Sequence, residues 1–425
     1  MRTSIQTRLR LRPVGFRPWE ISSLVQRSVI EEHASEAAFL RNQRTKAEAA
    51  PHYKLKHLAM LDERLLAHLQ GLRVASHFGW RAAQAGLDLG DPGAVFVTAY
   101  LAFASGDTQK MRQALYLGLS QPSFHGSLEA ALGWLNLDEV RGSLDLLLQS
   151  SAPAHRRVAL AALVAHCVDP GDVLARALED SDAPLRARAL RAVGELKRTD
   201  LCSAAKACLN DPDLDSRFWA SWSLAIMGES SAAEGAIQAA QKKHDHIRRA
   251  LLVSMRCGRP QWARECVRAL AGQPATMRQA IQAAGAFGDP AVIAWLLDHM
   301  TDPLHARVAG EAFSMITGAD LDYLGLKRDA PEEKPAEAAP EDENLPWPNL
   351  EALIKWWDGK RDRFARGQRY LTGQPVSTKC AIEVLRNGYQ RQRQAATIEL
   401  ARLSNAEILF LVADRADRQR RRLAA

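Results

Sequence analysis

Long apolar runs are missing from this chain of 425 residues. No stretch of about 18 apolar residues occurs, so no membrane span is expected. Residues 1–20 lack the apolar core of a secretory signal. They carry Arg2, Arg8, Arg10, Arg12 and Arg17 with no acid before Glu20, and read as a flexible basic tail. Cysteine is scarce: Cys167, Cys202, Cys208, Cys257, Cys266 and Cys380, with no Cys-x-x-Cys among them. Most lie in helical runs where a small apolar residue is wanted, which points to reduced, buried thiols and a cytoplasmic location. Catalytic signatures are absent too. There is no Gly-x-Ser-x-Gly, no phosphate-cradling glycine loop and no His-Glu-x-x-His. His52 and His57 are five apart, off the i, i+4 spacing that aims two imidazoles at one metal. A non-catalytic chain with no cofactor and no metal site is therefore expected.

What the chain has is helix-forming apolar content and a repeat. Hydrophobic residues make up 47%, aromatics only 6%, and the formal net charge is +7, a mild excess that does not by itself name a partner. Arg156, Arg186, Arg217, Arg248, Arg278 and Arg307 recur at spacings of 30, 31, 31, 30 and 29. Each is followed by small and aliphatic residues at helical spacing, and then by a second apolar-periodic run. The unit is a pair of antiparallel helices. One pair cannot bury its apolar stripe alone, so neighbours stack into an α-solenoid.

The Asp-Pro turns (Asp211-Pro212, Asp289-Pro290, Asp302-Pro303), the early Arg and the run Arg186-Ala187-Arg188-Ala189-Leu190-Arg191-Ala192-Val193-Gly194 resemble the HEAT repeat family. That resemblance implies an all-α superhelix of helix pairs and a binding role. His125 and Val95 fill the marker place one and two units before Arg156, so eight pairs are expected over 91–325. Ahead of them, 21–90 reads as a helical N-terminal cap, with apolar periodicity over 24–49, again over 55–69, and a short helix from Trp80. Behind them, 326–346 reads as a disordered linker: its core, 329–344, holds seven acids, one Lys and three prolines. Residues 347–425 hold 16 Lys/Arg against 8 Asp/Glu and read as a basic C-terminal helical module.

The segments HASEAAFL (33–40), PHYKL (51–55), LDERLLAHLQGLRVAS (61–76), RYLTGQPVS (369–377) and NGYQRQRQAATIELARL (387–403) are similar to an uncharacterised bacterial HEAT-repeat family. Genes of that family sit in type VI secretion loci. The resemblance implies a scaffold or adaptor accessory to secretion, with a secretion component or effector as protein partner.

Two residue sets are singled out. The Arg ladder (Arg156, Arg186, Arg217, Arg248, Arg278, Arg307) reads as structural, with Asp182, Asp213 and Asp302 as acceptors. Arg264, Arg268, Trp295 and Trp356 are the expected partner-binding anchors, since aromatic and Arg side chains concentrate binding energy. The competing reading is a nucleic-acid-binding HEAT-like protein of the DNA glycosylase type, which needs cations in line on a concave groove. Outward places of the second helices hold Ser203 and Ala207, Glu234 and Gln238, Ala294 and Asp298. That face is mixed, and a nucleic-acid partner is disfavoured.

Overall fold

A computed structural model describes residues 26–240, 244–332, 339–404 and 408–424. The basic tail expected over 1–20 lies outside the described residues. The fold is all-α apart from two short two-stranded ribbons. The cap comprises α1 (Arg27–Ala47), α2 (Leu55–Val74) and α3 (His77–Ala85). Seven helix pairs follow: α4 (Pro92–Ser105) with α5 (Thr108–Leu119), α6 (Pro122–Trp134) with α7 (Leu137–Leu148), and α8 (Pro153–Ala165) with α9 (Asp172–Leu178). Next come α10 (Ala183–Glu195) with α11 (Cys202–Ala207), and α12 (Leu214–Ile226) with α13 (Ser230–Ala240). The last are α14 (His244–Cys257) with α15 (Pro260–Ala271), and α16 (Met277–Phe287) with α17 (Ile293–His299).

The ends of these helices are written locally. Asp91, Asp182 and Asp213 accept from backbone N–H groups at the starts of α4, α10 and α12. Pro92, Pro122, Pro153 and Pro260 occupy first helical positions, where a missing N–H costs nothing.

The eighth pair departs from expectation. Its first helix, α18 (Ala306–Thr317), is followed by a loop rather than a partner. Two residues on each side of that loop pair antiparallel, β1 (Lys327–Arg328) with β2 (Trp347–Pro348), and close its base. Only then comes α19 (Leu350–Asp358), whose Trp356 and Trp357 lie edge-on to Phe313 of α18. The acidic stretch is thus an excursion inside the eighth repeat, not a boundary after it.

The first helices α4, α6, α8, α10, α12, α14, α16 and α18 pack side by side on α1, and the second helices lie outside them. Some first helices are buried on every side over their second half: Val158–Val164 of α8 and Phe218–Ile226 of α12 are buried without a break. Such a helix must be covered on every side. The cover on the inner side is the chain's own C-terminal segment: hairpin β3 (Tyr370–Leu371) and β4 (Gln374–Pro375), then α20 (Thr378–Asn387), α21 (Gln390–Leu403) and α22 (Ala416–Ala424). α21 lies against α14 and α12, and α22 against α2. Residues 347–358 thus complete the eighth pair, whereas the described residues of 369–424 do not extend the stack, and the array curves around them.

Candidate functional site

The inner face is built from helix ends. The last turns of the first helices present carbonyls that no residue of the same helix satisfies. The C-terminal segment satisfies them one after another. Arg415 donates to Trp134 O at 2.8 Å, and Arg418 to Gly133 O and Leu135 O at 2.7 Å each, all at the end of α6. Leu409 N donates to Glu195 O, the last residue of α10, at 2.8 Å. Arg369 reaches Arg256 O in α14 at 3.0 Å and Phe287 O in α16 at 2.9 Å. Thr372 N and Gly373 N donate to Met315 O and Ile316 O of α18 at 2.8 and 2.9 Å. Here only glycine fits: Gly318 sits at φ 73°, and a Cβ on it would lie 2.4 Å from Thr372 O. The exchange also runs backwards, with Lys197 donating to Ala401 O and Ser404 O at the end of α21, both at 2.9 Å. Part of the positive charge of 347–425 is thus spent on the negative ends of the chain's own helices.

Charge is also buried between the layers. Glu399 of α21 is fully buried and receives Arg256 at 3.0 Å, Arg402 at 2.9 Å and Arg369. Burial pushes its carboxyl up, but the three guanidiniums outweigh this and hold it below its ordinary value. Arg44 of α1, fully buried, donates to Asp62 at 2.6 Å and to Asp414 O at 2.9 Å. Asp62 in turn accepts from Ala416 N at 2.7 Å. Among the described residues Arg393 has no carboxylate partner; Leu385 O and the side-chain oxygens of Gln390 and Gln419 receive it, and burial pushes it down to about 9.

The two ends of the solenoid meet at Tyr389. Gln390 N donates to Tyr53 O of the cap at 2.7 Å. The Tyr389 hydroxyl donates to Asp320 beyond α18 at 2.8 Å, and Lys54 lies 4.3 Å from the Tyr389 ring centroid. A cleft of about 370 Å³ opens at this seam, lined by His52, His57, Asp320, Tyr389 and Arg391 among others. Two pairs of its charged groups meet within it: Arg391 with Glu311 at 2.7 Å, Lys54 with Asp320 at 3.9 Å. Among the described residues no group of three or more His, Cys, Asp or Glu could hold a metal ion. No described helix is long and apolar enough to cross a membrane.

Arg156 pairs with Asp180 at 2.6 Å, and Arg186 makes a two-pronged pair with Asp211 at 2.7 and 2.8 Å. The acceptors are thus Asp180 and Asp211, not Asp182 and Asp213, which are engaged as N-caps. Asp302 takes His305 instead, at 2.6 Å. Arg217 lies beside Asp211. Arg278 binds Asp342 and Arg307 donates to Asp342 O at 2.7 Å, so the acidic excursion supplies the last rungs. Arg391 also donates to Glu341 O, at 2.7 Å. Asp342 is buried, and the second half of the expected linker is a strap held by three arginines rather than a passive tether.

Arg264, Arg268, Trp295 and Trp356 fall on three successive outer helices: α15, α17 and α19. Arg264 is half occupied, donating to Asp289 at 3.0 Å with its guanidinium 5.4 Å from the Phe287 ring. Arg268 is exposed. Trp295 is half-buried and edge-on to His299 at 4.6 Å, and Trp356 is half-buried on Phe313. The residues that organise the inner face, Arg369, Glu399, Arg415 and Arg418, had no local signal; their partners lie more than a hundred residues away in most cases.

Compared with known families, residues 171–256 match the family model for HEAT repeats. That span runs from α9 to α14. A comparison with curated proteins returns no match. The repeats and the helical stack together make this stretch of the chain similar to HEAT-repeat scaffolds.

Proposed function

We propose that the protein is a non-catalytic scaffold or adaptor that binds a protein partner through its outer row of second helices. The observation that carries this reading is the filled inner face. HEAT-like arrays offer two long faces, and here one is occupied by residues 369–424. The outer row remains, with Arg268 exposed and Trp295 and Trp356 partly so on neighbouring repeats. Aromatic and Arg anchors of this kind concentrate affinity. The resemblance of 33–76 and 369–403 to a family from type VI secretion loci supports a cytoplasmic role accessory to secretion, in handling or loading an effector. A nucleic-acid groove gains no support from the same row, where cations are interleaved with Glu234 and Asp298 rather than aligned.

The test is cross-linking and mass spectrometry in native lysate, comparing the natural chain with Arg268→Glu and with Trp295→Ala/Trp356→Ala. The reading expects one or a few proteins cross-linked to α15–α19 and lost from both variants, while the melting temperatures stay within a few degrees. Proteins cross-linked equally to all three chains, or capture of nucleic acid alone, would overturn it.

A further inference from the structure

The cations of 347–425 divide into two sets. Arg369, Arg391, Arg393, Arg415 and Arg418 donate to carbonyls, carboxylates or carboxamides of the chain itself. Lys355, Lys360, Arg363 and Arg366 do not: among the described residues, none of these four side chains has an ion-pair or hydrogen-bond partner. Arg361 between them reaches Asp358 at 3.6 Å. All lie at the end of the outer row, on α19 or in the turn 359–368 that follows it. The stretch 354–368 holds five cations against two acids, Asp358 and Asp362. Lys355, Arg361, Arg363 and Arg366 are exposed. The turn that carries most of them is pinned from beneath. The Phe364 ring lies 5.2 Å from that of Trp357 and 4.9 Å from that of Tyr370. Ala365 N donates to the Tyr370 hydroxyl at 2.9 Å, which donates in turn to Arg363 O at 3.3 Å. Tyr370 is buried, and its own N–H donates to Gly288 O at 2.8 Å.

We propose that Lys355 and the turn 359–368 form a docking surface for an acidic segment of a protein partner. This rests on the reading that a protein meets the outer row, and adds the chemistry of what is met. Three points support it. The backbone of the turn is already fixed, so a ligand that settles on it loses less entropy in ordering the site. Guanidiniums take carboxylates through charge-assisted N–H···O bonds, and the chain does so with its own acidic strap, where Arg278 takes the Asp342 carboxylate at 2.8 Å. Ile354, 42% exposed, and the half-buried Trp356 and Trp357 adjoin the cations, which makes the mixture of apolar, aromatic and Arg surface found where proteins meet. Asp358 and Asp362 interleave the cations. That pattern opposes a continuous phosphate backbone, which needs cations in line, whereas a peptide can place its carboxylates singly.

Fluorescence anisotropy on the full chain tests this with a labelled dodecapeptide of alternating Glu and Asp. The surface predicts binding at low salt that weakens as salt rises. Lys355→Glu/Arg363→Glu/Arg366→Glu should weaken it about tenfold or more, through three exposed charge pairs. Arg112→Glu/Arg176→Glu/Lys379→Glu makes the same change of net charge at exposed cations elsewhere, and should leave the affinity within about twofold. Lys355→Gln/Arg363→Gln/Arg366→Gln should give a smaller loss than the first variant, and decides the matter if that one does not fold. The peptide is added pure, so the outcome does not depend on whether capture from lysate succeeds. No binding at low salt, no loss in the turn variants, or an equal loss in the control variant would overturn the proposal. So would tighter binding of a twelve-thymidylate strand or of phosphatidylserine vesicles through the same three residues.

Discussion

Glu399 is one fully buried carboxylate answering three guanidiniums. Removing its charge strands Arg256, Arg369 and Arg402 together, and losing one partner of a buried pair costs about 3–5 kcal/mol. Glu399→Gln should destabilise the protein by that order in urea unfolding; a loss within experimental error would mean the cluster is hydrated. Arg186→Ala acts differently, because its partner Asp211 sits at a turn edge that water can reach after truncation. It should cost about 1–3 kcal/mol while leaving partner capture intact. Loss of capture at unchanged stability would make the ladder a binding site. His166 supplies the pH signature. Burial, with Arg418 close by, pushes its imidazole down from 6.5 to about 4. The folded chain therefore disfavours the proton that the unfolded chain takes up, so stability is full above pH 6.5 and falls between 6.5 and 4. His166→Gln should flatten that part of the urea midpoint against pH curve, and an unchanged slope would contradict the assignment.

At the scale of the element, α21 shows where sequence reading stops. QRQRQAATIELARL has a weak apolar stripe and four charged residues, and it reads as a basic surface helix. Nine of its fourteen residues are buried. Its polar side chains meet carbonyls just past α1 and on the strap, a carboxylate on α18 and the Arg256 guanidinium on α14, and no local pattern encodes such distant partners. The repeats were legible for the opposite reason: each unit carries its own N-caps, prolines and apolar period. A signal for the missing cover did exist in the first helices. The run 158–164 is apolar on every face, and 218–226 is interrupted only by two serines, more than an open solenoid can hide. α22 is held by two arginines on the end of α6. The double variant Arg415→Ala/Arg418→Ala leaves three carbonyls without donors and should free this helix. Tryptic cleavage at Arg420–Arg422 should then speed up several-fold while the repeats stay resistant; an unaltered rate would show that α22 is held by its apolar contacts alone.

For the whole molecule, the account replaces an open superhelix and a free basic tail with an array wrapped around its own C-terminal segment. The repeat fold and the outer candidates Arg268, Trp295 and Trp356 could be placed from sequence, because both depend on local periodicity. The use of the inner face could not, because it depends on charge meeting helix ends across the chain. The consequence for the proposed function is direct: the surface left open to a partner is that of the second helices, not of the first. Amide hydrogen exchange of the full chain tests this most directly. If the inner face is filled, the amides of 390–403 exchange as slowly as those of 183–195 and 214–226, by global unfolding, and high salt leaves them protected. Exchange of 390–403 within seconds, or protection lost on adding salt, would show that the segment leaves the groove and would contradict the account.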